Sequence, residues 1–213
     1  MLGQIRWGNG RKTVVSAEQI LGLPVLTVEL PRPSRRPERA VRKGAVLLGS
    51  HHVRYVLTPP EFPWWSVLAQ SGIRPVDTVG LRCKLAPVWV AAQLGQRSIP
   101  RENAVVRLKG ERNEPALEGI ARELCPLVRS LVLDLPDGER TANRLRHEWG
   151  IPVLPRGFDG VHLTLRLQDG PVLAGAEITL SGRKMPTDCD RLSLLAVLWE
   201  TGRVKTEEIA LKV

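Results

Sequence analysis

The chain has 213 residues, enough for one large α/β domain or two small ones, and a core of that size needs no disulfide or metal staple. With 43% hydrophobic and 25% charged residues, the composition is that of a globular protein and excludes global disorder. The net charge of +9 is uneven: residues 1–60 carry 10 Lys+Arg against 3 Asp+Glu, and residues 61–213 carry 21 against 19.

The opening residues MLGQIRWGNGRK contain no apolar core segment, so they are not read as a signal peptide. No run approaches 18 apolar residues, so no membrane span is expected and the expected compartment is the cytoplasm. The first clear element is Val25–Leu30, a strand rich in β-branched residues. A Pro- and Arg-rich loop follows, Arg32-Pro33-Ser34-Arg35-Arg36-Pro37-Glu38-Arg39, with Arg42 and Lys43 just beyond. This is the densest basic segment of the chain, suited to phosphate. From Pro37 the pattern turns helical, with Val41, Ala45 and Leu48 on one face. Val53–Leu57 is the next strand, and Thr58-Pro59-Pro60 stops it.

A short helix is predicted within Phe62–Ser71, and a polar connector within Ile73–Val79. A longer helix then runs to about Leu94, with Leu81, Leu85, Val88 and Ala92 on one stripe. The clearest stretch spans residues 103–154. Ala104–Leu108 is a strand, and Leu117, Ile120, Ala121, Leu124 and Val128 form a helical face. Leu131–Leu133 is a strand ending at Asp134, and Pro136-Asp137-Gly138 turns the chain. Ala142, Leu145 and Trp149 mark another helix, and Ile151–Leu154 a third strand. The predicted core brings together Leu117, Ile120, Leu124, Val132, Leu145 and Trp149. Val161–Leu167 and Ala176–Leu180 alternate apolar and polar residues as half-exposed strands do. Asp188 or Asp190 caps a last helix carrying Leu192, Leu195, Leu198 and Trp199, and a terminal strand is placed at Glu208–Val213.

Strands alternating with helices predict an α/β fold, a mainly parallel sheet with helices on both faces and a smaller β-rich C-terminal part. The parts expected are residues 1–100 with the basic loop, 101–160 as a β-α-β-α-β half, and 161–213 as the C-terminal strands and final helix. Gly110 follows the strand at 104–108, and Asp134 lies 24 positions later at the end of the next strand. On these residues the 104–134 unit resembles a Rossmann-like nucleotide-binding half. The resemblance implies phosphate held after the first strand and a ribose met by Asp134. The sequence departs from the GxGxxG pattern, reading Lys109-Gly110-Glu111-Arg112-Asn113-Glu114-Pro115 with one glycine.

In an open α/β sheet, ligands bind beyond the carboxyl ends of the strands. That criterion selects Ser34, Arg35 and Arg36 in one loop and Lys109, Gly110 and Arg112 in another, with Asp134 nearby. If all the strands share one parallel sheet, both loops emerge at one edge and form one anion crevice. The cofactor is then unknown, a nucleotide being one possibility. The three cysteines, Cys83, Cys125 and Cys189, are spaced 42 and 64 apart and are expected to be reduced. His51, His52, His147 and His162 show no metal-ligand spacing, so no metal site is predicted. GxSxG and GxxxxGK[ST] are both absent from the chain. Trp64 and Trp65 form the main aromatic pair, either a wide buried face or a docking surface for a protein partner. Three functions follow in order. The first is binding of a nucleotide or other phosphorylated small molecule at the carboxyl edge of the sheet. The second is a non-catalytic protein-interaction module, and the third is nucleic-acid binding.

Overall fold

Leu21 and Gly22 both have positive φ, 48° and 82°, and close a two-residue turn between two strands at the start of the chain. Glycine meets that requirement at no cost, and the tight turn fixes the register of the strands it joins. Those strands are β2 (Val14–Ile20) and β3 (Leu23–Leu30), paired antiparallel from Ile20↔Leu23 to Val14↔Glu29. The strand before them, β1 (Leu2–Trp7), pairs parallel with β3 from Leu2↔Val25 to Trp7↔Leu30. The computed structural model describes residues 1–31, 36–112, 116–136 and 138–213, which divide by their contacts into two units.

The first unit comprises Met1–Thr78 and Leu180–Glu208. Its sheet runs β2-β3-β1-β4-β5, where β4 is Tyr55–Leu57 and β5 is Arg74–Pro75; every neighbouring pair except the β2–β3 hairpin is parallel. One face carries α1 (Pro37–Ser50) and α2 (Trp65–Ala69) over Ile5, Val28, Leu30 and Val56. Close approach of α1 depends on Gly3, where an added Cβ would lie 2.7 Å from Val53 Cγ1 and 3.0 Å from Leu48 Cδ2. The other face buries two polar side chains that satisfy one another: Thr27 Oγ1 donates to Gln4 Oε1 at 3.3 Å, and Gln4 Nε2 donates to Asp188 Oδ2 at 3.3 Å. Asp188 belongs to the segment entering the last helix, Arg191–Glu200. The cap of that helix is Asp190, whose Oδ2 accepts from the Ser193 amide at 2.8 Å.

The second unit comprises Val79–Thr179 and Ile209–Val213. Its elements are α3 (Val79–Gln96), β6 (Val105–Gly110), α4 (Leu117–Leu124), β7 (Ser130–Asp134), α5 (Gly138–Trp149), β8 (Val153–Leu154) and β9 (Leu163–Leu167). The sheet order is β8-β7-β6-β9, all parallel. From β6 the chain winds outward through β7 and β8, then returns to β9 on the far side of β6. The strand order therefore reverses between β6 and β9. Val106, Leu108, Leu131, Leu133, Leu163 and Leu165 share one face with the apolar stripes of α3, α4 and α5. Two further strands, β10 (Glu177–Leu180) and β11 (Ile209–Lys212), pair with each other. The protein is therefore a mixed α/β fold of parallel sheets flanked by helices, with additional β structure toward the C-terminus.

Several expectations change. The strands expected in one sheet lie in two, because β3 and β4 pair only within the first and β6 and β7 only within the second. A boundary at residue 100 does not match the division, since Ala86, Trp89, Val90 and Leu94 of α3 pack into the core of the second sheet. Val88 is 47% exposed and off the buried stripe of that helix. The α4 helix ends at Leu124, because Pro126 lies in a 3-10 turn and Val128 is extended. Trp149, expected in the core, is 47% exposed at the end of α5, where the Arg122 guanidinium sits 4.0 Å over its ring.

Candidate anion site

The strand order of the first sheet creates a cleft at its carboxyl edge. β1 and β3 are adjacent and parallel, so both end at that edge, while β2 lies beyond β3. The chain leaving β1 must therefore cross the end of β3 to start β2. It does so through residues 8–13, held at the crossing by the Gly8 amide donating to Leu30 O at 2.8 Å. This drapes Arg11, Lys12 and Thr13 over the point where Pro31 leaves β3. Across from them stands α1, with Pro37 in its first turn, where its missing N–H costs nothing. Arg36 is the residue before the helix, and Arg39, Ala40 and Lys43 lie along one side of α1, while Val41, Ala45 and Leu48 are buried on the other.

The resulting cleft measures about 810 Å³ and is lined by Arg11, Lys12, Thr13, Pro31, Arg36, Arg39, Ala40 and Lys43. Five of these eight residues are cationic and none is acidic. All five basic residues are exposed. Nearby Arg6 is not part of this set. It is already matched by carboxylates, donating to Glu18 at 2.9 Å and to Glu29 at 3.2 Å, and these partners raise its pKa against the opposing effect of burial.

Of the residues singled out in the sequence, Arg36 lines this cleft, while Ser34 and Arg35 lie outside the described residues. Lys109, Gly110, Arg112 and Asp134 belong to the other unit, the first two at the end of β6 and Asp134 at the end of β7. The argument that both loops share one edge required one continuous sheet, and that premise does not hold. In the second unit Asp134 ends β7 as expected, but cations already engage it. Arg156 Nε donates to its Oδ1 at 2.6 Å, and Lys109 Nζ lies 3.9 Å from its Oδ2. Gly110 is pressed against side chains, since an added Cβ would stand 2.9 Å from Leu135 Cδ2 and 3.3 Å from Leu167 Cβ. Arg112 pairs with Asp169, which follows β9, so an ion pair bridges the carboxyl ends where the strand order reverses.

Trp64 and Trp65 are half-buried and join an aromatic cluster on the first core. Trp64 meets Trp7 edge-on at 5.6 Å and Phe62 at 5.3 Å, and Phe62 meets Trp65 at 5.5 Å. Among the described residues no group of three or more His, Cys, Asp and Glu is placed to hold a metal ion. Cys83, Cys125 and Cys189 form no disulfide. Burial, then Asp188 and Asp190, push the Cys189 thiol up to about 12, which keeps it protonated and poorly nucleophilic. His162 Nδ1 accepts from the Val105 amide at 3.2 Å and so holds the start of β6.

The basic character of residues 31–39 was legible in the composition. The contribution of Arg11 and Lys12 was not, because it depends on where β2 pairs. The weak local signal was the hairpin itself, Val14–Ile20 and Leu23–Leu30 around Leu21-Gly22, without the Asn-Gly or Asp-Gly that usually marks such a turn.

Fold and site together define an α/β protein with mainly parallel sheets flanked by helices and a cationic cleft at one carboxyl edge. No family model matches the chain, and no curated protein does. Among solved structures it is similar to L-tryptophan dehydrogenase from Nostoc punctiforme, with 13% identity and a TM-score of 0.34 over 78% of this chain. The match covers 55% of that protein, so this chain spans about half its length. Among the described residues no helix is long and apolar enough to cross a membrane.

Proposed function

We propose that the protein binds a phosphorylated small molecule in the cleft between residues 11–13 and the first turns of α1. The observation that carries this reading is the lining itself, with five cationic side chains from two chain segments and no carboxylate among the described lining residues. Like charges gathered on two walls of one cleft favour a bound anion. The position agrees with the general placement of ligands beyond the carboxyl ends of parallel strands. A concave site bounded on two sides suits a compact ligand. Nucleic acid requires a basic track across the surface and binding that falls steeply with salt.

The test is calorimetric titration of a nucleotide and sugar-phosphate panel into the wild type, Arg39→Ala/Lys43→Ala and Arg112→Ala. Arg112 belongs to the other unit, so its variant serves as the control. Expected is binding by the wild type and by Arg112→Ala, and its loss in the cleft variant. Binding that survives in the cleft variant refutes the reading. So does binding confined to generic DNA or RNA, which moves the nucleic-acid interpretation to first place.

A further inference from the structure

We infer that the first unit holds a second ligand site, at the amino edge of its sheet, and that this site takes a medium-chain fatty acid. β1 and β3 run parallel from Leu2↔Val25, so both begin at this edge, at the opposite end of the strands from the cationic cleft. The end of β2, the start of β3 and the end of the last helix line a cavity of about 560 Å³ there. Every lining residue belongs to the first unit. Eight of the eleven are apolar, among them Leu2, Leu23, Val25, Leu26 and Val197, and none is aromatic. The size is that of a small-molecule site, and such sites are mostly apolar with a few polar groups that fix orientation. A lining without rings offers no stacking partner to an aromatic ligand and suits a hydrocarbon chain.

Three lining residues are polar, and two of them are already engaged. The Glu18 carboxylate accepts from both terminal nitrogens of Arg6 at 2.9 Å. The Thr201 hydroxyl donates to Val197 O at 2.7 Å, back onto its own helix. The remaining one, Arg203, is the only cationic side chain of the lining and is exposed, which puts it at the mouth. Its position follows from how the helix stops. Gly202 has a φ of 67°, its amide donates to Trp199 O at 3.0 Å, and the Arg203 amide donates to Leu198 O at 2.9 Å. This pair of bonds is a Schellman closure, which takes Arg203 out of the helix. Its Nη1 lies 3.0 Å from where a Cβ on Gly22 would stand, beside the hairpin turn. Among the described residues no carboxylate or carbonyl accepts from the Arg203 guanidinium. An apolar pocket with one unmatched cation at its mouth fits an amphipathic anion, with the hydrocarbon inside and the carboxylate on Arg203. A polar phosphorylated ligand would lose hydration against this lining, so the two sites select different ligands.

The experiment titrates the whole protein by calorimetry with butanoate, hexanoate, octanoate and octanol, at fixed ionic strength and below the concentrations at which they form micelles. Each buried methylene is worth about fourfold in affinity, so octanoate is expected to bind roughly fifteenfold more tightly than hexanoate. Arg203→Ala is expected to weaken octanoate about tenfold and to leave octanol unchanged. Ala17→Phe fills the pocket from β2 and is expected to weaken both compounds. Ala17 and Arg203 are exposed, and circular dichroism checks that both variants fold. Affinity independent of chain length overturns the apolar site. Equal affinity of the wild type for octanoate and octanol overturns recognition of the carboxylate, and with it the fatty acid. Unchanged octanoate affinity in both variants places the acid elsewhere, the cationic cleft included, and overturns the assignment. Absence of binding by every acid and by octanol overturns the inference and leaves the phosphorylated-ligand reading of the other cleft standing.

Discussion

Leu124→Ala tests the packing of the second unit most directly. Leu124 is fully buried in α4, within the core that also holds Leu117, Ile120, Leu131 and Leu145. The substitution removes three carbons from a site with no exposure to water, and at about 0.8 kcal/mol per buried methylene the transfer loss is roughly 2.4 kcal/mol. The cavity left among strands and helices that cannot fully collapse brings the total to about 3–4 kcal/mol. With a urea slope of about 2 kcal/mol/M, the midpoint of this unit falls by roughly 1.5–2 M. Trp149→Ala supplies the contrast. Although a larger side chain is lost, its ring is 47% exposed and contacts Arg122, so the expected cost is only about 1–2 kcal/mol. The assay is urea denaturation followed by far-ultraviolet circular dichroism. A Leu124→Ala midpoint equal to wild type, or a larger loss from Trp149→Ala, refutes the assigned helix phases.

Three further outcomes follow from the geometry. Gly110→Ala is expected to cost about 1–2 kcal/mol through overpacking against Leu135 and Leu167 while leaving phosphate binding unchanged; lost binding with unchanged stability would restore Gly110 to the ligand site. Asp190→Ala removes the acceptor for the Ser193 amide and is expected to cost about 1 kcal/mol, read as a lower thermal midpoint of the first unit; an unchanged midpoint would show that the cap is dispensable. The raised Cys189 pKa means that its thiol ionises more readily in the unfolded chain than in the folded one. The stability from keeping it neutral is present below the ordinary value of 9.0 and is lost as pH rises toward about 12. In native protein at pH 8, alkylation is expected to label the partly exposed Cys83 and Cys125 before Cys189, and equal labelling rates would contradict its burial.

By itself the sequence determined what depends on local periodicity. The helical faces at Val41-Ala45-Leu48 and Leu117-Ile120-Leu124, and the apolar runs that became β3, β6 and β7, could be read because each pattern repeats within one element. The basic loop was likewise visible as composition. Local pattern failed at Trp149, where helical phase suggested burial but the end of the helix stands clear of the core. It also missed β1, where Gly3, Gln4 and Arg6 hide the strand; Gly3 is required by the close approach of α1, and Gln4 is buried only because Thr27 and Asp188 satisfy it. Tertiary structure alone decided that the parallel strands divide into two sheets, separating Arg36 from Lys109 and Arg112. It also decided that β2 pairs beyond β3, which carries Arg11 and Lys12 across the strand end to face Arg39 and Lys43. Strand order is set by which distant segments bury one another best, and no window along the chain contains that competition.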